Sequence, residues 1–217
     1  MHKPSVVSFS LVVAVYMSCN AATASTTQTQ PAIASQSSSA PQSAGTIPTG
    51  QIAEALRRGG YVIYFRHTAT DFSKSDAGMQ GYDDCANQRM LSEEGRADAR
   101  TIGEHIRSLR LPIGDVLASP YCRTMETAQL AFKRAEPRTE IRESEGGDYA
   151  GLKRLISMPV VAGTNRWIVG HGTPFRSIAG PPHLAEGEAA VIKPGETTWT
   201  VVARIPHEKW ATLERRR

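Results

Sequence analysis

Apart from Lys3, the first fifty residues hold no charged side chain, and the whole chain of 217 residues holds only three cysteines. No apolar run reaches the 18 or more residues that a membrane-spanning helix needs, which excludes a transmembrane span. A polynucleotide binder shows a basic stripe or block. Here 25 Lys and Arg face 21 Asp and Glu and are interspersed with them, apart from the terminal Arg215-Arg216-Arg217. We therefore expect no nucleic-acid partner. Nor is there a Cys/His or carboxylate cluster spaced as metal ligands would be, so no metal or other cofactor is expected. What is present is ordinary: 40% hydrophobic and 21% charged residues, close to globular averages. The length suits one domain with an appendage.

The appendage is N-terminal. His2 and Lys3 precede an apolar run from Val6 to Met17, broken only by Ser8 and Ser10, and Ala22-Thr23-Ala24 offers a small-residue cleavage site. Residues 1–24 read as a secretory signal peptide, placing the mature protein in the periplasm or outside the cell. Cys19 allows a second reading, a lipid-bearing cysteine, although Tyr16 is bulky for such a signal. Residues 25–50 continue a stretch rich in Ser, Thr, Gln and Ala with three prolines. It buries too little apolar surface to offset the entropy of ordering and reads as a disordered linker. The folded domain is expected over 51–217, as a monomer.

Helix and strand signals alternate within that domain, the mark of a layered α/β fold. Thr49 is expected to cap a short helix through Arg58, stopped by Gly59-Gly60. Tyr61 to Phe65 is a continuous apolar run, as expected of a strand covered on both faces, and it ends in Arg66-His67. A helix after Ser92 carries Ala99, Ile102, Ile106 and Leu109 at three- and four-residue spacing, and Pro112 lies beyond it. Val116-Leu117-Ala118 forms a second strand, leading through Ser119-Pro120 into a helix from Cys122 to Phe132. Trp167-Ile168-Val169 is a third, ending in Gly170-His171-Gly172. Ala189–Ile192 and Thr198–Ile205 read as an antiparallel pair at a sheet edge.

Three apolar strands thus deliver Arg66 and His67, then Arg123, then His171 to their C-terminal ends, the edge where open α/β sheets bind ligands. Two Arg and two His suit a dianion, because guanidinium donors match phosphate oxygens. The N–H groups at the start of the Cys122 helix are expected to add to them. His105, His183 and His207 are read as structural or solvent-exposed.

These segments resemble the histidine phosphatase superfamily, the phosphoglycerate-mutase-like group. The likeness rests on Tyr64-Phe65-Arg66-His67-Thr68, Leu91 to Arg96, Ser119 to Ala128 and Val169-Gly170-His171-Gly172. It implies a layered α/β/α fold with a mainly parallel sheet and an antiparallel edge. It also implies His67 as the phosphate-accepting nucleophile, with Arg66, Arg123 and His171 holding the phosphoryl group. Thr68 stands where the family usually has Gly, and Ala69 where mutases often have Glu, which favours a phosphatase over a mutase. The partner is expected to be a small phosphorylated substrate or a phosphorylated envelope component. A phospho-ligand-binding protein with weak turnover is the alternative, and an envelope interaction module a third reading.

Two expectations concern further residues. The acid that protonates the leaving group is assigned by position to Glu145, with Glu143, Asp148, Glu186 and Glu188 as alternatives. Cys85 and Cys122, the two cysteines left after cleavage at Ala24, are expected to form a disulfide worth roughly 4 kcal/mol in the chain-entropy account.

Overall fold

The computed structural model describes residues 45–195 and 198–214. The expected signal peptide, Cys19 and most of the linker lie outside the described residues. The chain enters the fold before residue 51: Ile47 packs against the core and its N–H donates to Val202 O.

Eleven elements build the domain: α1 Ile52–Arg58, β1 Val62–Arg66, α2 Glu93–Ser108, β2 Ile113–Ala118, α3 Cys122–Phe132 and β3 Glu136–Pro137, followed by α4 Ala150–Ser157, β4 Asn165–Gly170, α5 Gly172–Ala179, β5 Ala189–Pro194 and β6 Trp199–Ile205. The strands form one sheet in the order β3-β2-β4-β1-β5-β6. β3, β2, β4 and β1 are parallel, while β5 runs antiparallel to both β1 and β6.

Strand alternation explains the two cores. On one face Ile63, Phe65, Trp167, Val169 and Val191 pack with residues of α1, α2 and α3. On the other, Val62, Tyr64, Ile168 and Ile192 pack with Leu152, Leu155, Ile156 and Phe175 of α4 and α5. A strand apolar at every position can lie only between two such layers, which is why the runs of β1 and β4 were readable as buried strands.

α2 starts after Ser92 as expected, and the Ser92 Oγ caps it by accepting from Gly95 N at 3.0 Å. Thr49 does not cap α1. It lies in a 3-10 turn, Thr49–Gln51, closed by Gln51 N donating to Pro48 O, so the first turn is satisfied without the side chain. Gly59 ends the helix with φ +76°, where a Cβ would also strike the backbone of Gly163 and Thr164. Among the described residues no helix is long and apolar enough to cross a membrane.

Candidate active site

The parallel register brings the ends of β1, β4 and β2 level. Arg66 lies opposite Gly170, His67 N donates to Gly170 O, and Ser119 N donates to Val169 O. His67 and His171 thereby meet edge to face, with ring centroids 5.5 Å apart. Arg123 rises from the first turn of α3. Together Arg66, His67, Arg123 and His171 line a cavity of about 220 Å³, with Asp76, Arg89, Arg142, Gly172, Thr173, Pro174 and His183 completing its wall.

His67 is 2% exposed. Its Nδ1 lies 2.9 Å from Thr68 O. A carbonyl only accepts, so Nδ1 carries the hydrogen and Nε2 keeps its lone pair. Burial, reinforced by the charges of Arg123, Arg66 and Arg89, pushes the imidazole pKa down to about 3. Burial and then the neighbouring His67 and arginines likewise hold His171 well below its ordinary value. Both rings are neutral at neutral pH. His171 is fixed at both ends: Nε2 lies 2.9 Å from Ser119 Oγ, and the Tyr64 hydroxyl accepts from His171 N while donating to His171 O.

The guanidinium groups are held but not saturated. Arg66 donates through Nη1 to Leu184 O at 2.7 Å and pairs with Glu186. Arg123 donates through Nη1 to Asp76 Oδ1 at 2.9 Å and stacks 4.6 Å over the Tyr121 ring. Arg89 lies 4.7 Å over the ring of Phe72, which is 71% exposed. The Nε atoms of Arg66, Arg89 and Arg123 are buried with no partner. The only other buried side-chain polar atoms so placed among the described residues are two indole nitrogens in the core. Three orphaned cationic donors around one cavity are costly unless an anion completes them.

The loop before α2 is tied to the start of α3. Cys85 and Cys122 form a disulfide with Cα atoms 5.7 Å apart. Beside it, Gln88 is fully buried, its Oε1 accepting from Cys122 N while its Nε2 donates to Tyr82 O. Of the N–H groups expected to add to the site, that of Cys122 is taken by Gln88 and that of Thr124 by Tyr121 O. This clamp brings Arg89 and Asp76 to the pocket. Sequence reading missed both, because an irregular loop has no period, and it also missed Arg142. His183 is solvent-exposed, as expected, and lies on the pocket rim against Gly172.

Of the carboxylates named from sequence, Glu143, Asp148, Glu186 and Glu188 do not line this cavity. Glu143 accepts from the Tyr82 hydroxyl and, with Asp148, borders a neighbouring cavity of about 790 Å³ that shares Arg142. Glu188 is engaged by Arg204, at 2.6 Å from Nε. Glu186 accepts from Thr70 N and Oγ1 and lies 3.9 Å from His67 Nδ1 rather than facing the cavity. The backbone of Glu145 opens a short 3-10 turn, Glu145–Gly147; its side chain lies outside the described part. Among the described residues no group of three or more His, Cys, Asp or Glu is gathered as metal ligands would be.

The family model for the histidine phosphatase superfamily (branch 1) matches residues 62–167. No curated protein sequence matches significantly. Among solved structures, a mycobacterial hydrolase is 14% identical with a TM-score of 0.50, the match covering 66% of this chain and 97% of that one. A phosphoglycerate mutase from Bacillus anthracis is 15% identical with a TM-score of 0.49, covering 75% and 100%. A protein histidine phosphatase, SixA, complexed with tungstate, is 17% identical with a TM-score of 0.48, covering 69% and 98%.

Proposed function

We propose that this chain, whose residues 62–167 match the histidine phosphatase superfamily model, is a phosphatase of that superfamily and hydrolyses phosphomonoesters through a phosphohistidine on His67. The observation that carries this reading is the cavity itself. A neutral imidazole with its Nε2 lone pair available stands among guanidinium groups, three of which have buried, unpartnered Nε donors.

The chemistry follows from those groups. Phosphoryl transfer spreads charge over peripheral oxygens, so positioning and electrostatic stabilisation do most of the work. Arg66, Arg123 and Arg89 supply that stabilisation, and His171, fixed by Ser119 and Tyr64, adds a ring donor. Nε2 of His67 attacks phosphorus, and water then displaces the phosphoryl group, dividing one hard step into two. Because the guanidinium groups carry the neutralising charge, the reaction is independent of added metal. The substrate is a small phosphomonoester or a phosphorylated envelope component, and the protein acts outside the cytoplasm. The apolar N-terminal run and the Cys85–Cys122 disulfide support export.

The deciding experiment incubates the protein with an aryl phosphate, with and without chelator, and quenches it for phosphohistidine. Release of orthophosphate, an acid-labile adduct on His67, its loss in His67→Ala and indifference to chelator are expected. Binding of orthophosphate with no adduct and no turnover would leave only a phospho-ligand-binding protein.

A further inference from the structure

Hydrolysis by two displacements needs a group that gives a proton to the departing ester oxygen and later takes one from water. Each carboxylate suggested by sequence position whose side chain is described is engaged elsewhere: Glu143 with Tyr82, Asp148 with the N–H of Ala150, Glu186 with Thr70 and Arg66, Glu188 with Arg204. Among the described residues lining the phosphate pocket, Asp76 alone carries a carboxylate.

Its placement is built. Oδ1 accepts from Arg123 Nη1 and from the backbone N–H of Arg89, each at 2.9 Å. The carboxylate is therefore held against a guanidinium of the phosphate pocket, beside the oxygens that Arg123 would grip. The side chain keeps 32% exposure, so water reaches it. The loop that carries it is tied through Gln88 and the Cys85–Cys122 disulfide to the turn that presents Arg123. Two elements far apart in sequence thus fix one carboxylate beside the anion site.

We propose that Asp76 is the acid–base residue of the hydrolysis, an assignment that rests on the phosphatase reading. The substrate enters as the monoanion and its proton passes to the Asp76 carboxylate. The Nε2 lone pair of His67 forms the N–P bond, the ester P–O bond breaks with its pair on the oxygen, and the Asp76 carboxyl proton completes the alcohol. In the second step a water oxygen bonds to phosphorus and its proton goes to Asp76, while the N–P pair returns to Nε2. Orthophosphate leaves with the proton that Asp76 then releases. Partial burial opposes ionisation of Asp76, but the hydrogen bonds from Arg89 N–H and Arg123 outweigh it and hold the carboxyl below its ordinary value. A carboxylate ready to accept a proton is what the water step requires.

The alternative role, merely steadying Arg123, is separable by pre-steady-state kinetics on the full chain. With 4-nitrophenyl phosphate, whose leaving group needs no proton, Asp76→Asn is expected to keep a nitrophenol burst within several-fold of wild type. It should then accumulate phosphohistidine and turn over on the order of 100-fold more slowly. Glycerol phosphate, whose leaving group does need a proton, should show no burst. In Asp76→Ala, added formate should speed phosphoenzyme breakdown, which a positioning role would not produce. A burst slowed in step with turnover, together with tenfold weaker orthophosphate binding and no formate rescue, would overturn the assignment, as would near-normal turnover in either variant. If the wild type forms no phosphoenzyme at all, the hydrolysis reading itself fails and this one with it.

Discussion

The backbone of His171 is held by one phenol. The Tyr64 hydroxyl both donates to His171 O and accepts from His171 N, and a Cβ on Gly170 would collide with that tyrosine. Tyr64→Phe leaves a buried N–H and C=O unsatisfied. We expect a loss of about 1–3 kcal/mol in denaturant unfolding and lower activity without a change in the nucleophile. The histidines themselves link stability to pH. His67 has a folded-state pKa of about 3, below the ordinary value near 6.5, so between those values the unfolded chain binds more protons. Its contribution is complete above about pH 6.5 and is lost as pH falls toward 3, by up to about 1.4 kcal/mol per pH unit. His171 acts in the same direction. Denaturant titrations at pH 7.5 and 5 should show wild type losing more stability than His67→Gln. Parallel losses would refute this account of the buried ring. At this scale Arg66, His67, Arg123 and His171 were legible because each follows an apolar strand. Asp76 and Arg89 were not, because no periodic pattern marks a loop residue that reaches the site through a crosslink.

Among the elements, those that face the core on a long apolar stripe were read nearly to their ends. α3 was expected over the residues it occupies, and α2 began at its Ser92 cap. β3, two residues long, and the eight-residue helices α4 and α5 carry too few turns or pleats to show a period. The approach of α2 to the site depends on Gly95, where a Cβ would lie inside the peptide of Ala69, two residues beyond His67. The loop between β1 and α2 depends instead on its crosslink. Reducing Cys85–Cys122 should cost about 2–4 kcal/mol of stability and, by freeing the segment that carries Asp76 and Arg89, weaken orthophosphate binding several-fold. Calorimetry on oxidised and reduced protein measures both. Unchanged phosphate affinity after complete reduction would mean that Gln88 alone holds the loop.

For the molecule as a whole, the alternation of apolar strands and amphipathic helices carried the layered architecture, and the antiparallel β5–β6 pair lies at the sheet edge where the sequence suggested. The order in which strands pair is set by packing between distant segments, so local patterning did not disclose it. β4 lies between β1 and β2 although it follows both in the chain. The backbone bond from Ile47 to Val202 is where the described chain joins the sheet. A fragment starting at residue 45, which keeps Ile47 and its bond to Val202, should melt within about 2 °C of the full chain and keep its phosphatase rate. A fragment starting at 51, which drops Ile47, should be measurably less stable.

Two of the three tryptophans, Trp167 and Trp210, are wholly shielded from solvent, with rings 6.2 Å apart and indole N–H groups unpartnered. Neither lines the phosphate cavity. Their ultraviolet fluorescence is accordingly expected to be short in wavelength while the layers stay packed and to move to the red when they part. The molecule therefore carries an optical gauge of its own integrity that is blind to the chemistry. An inactive His67 or Asp76 variant with unshifted emission has lost a reaction step, not its fold.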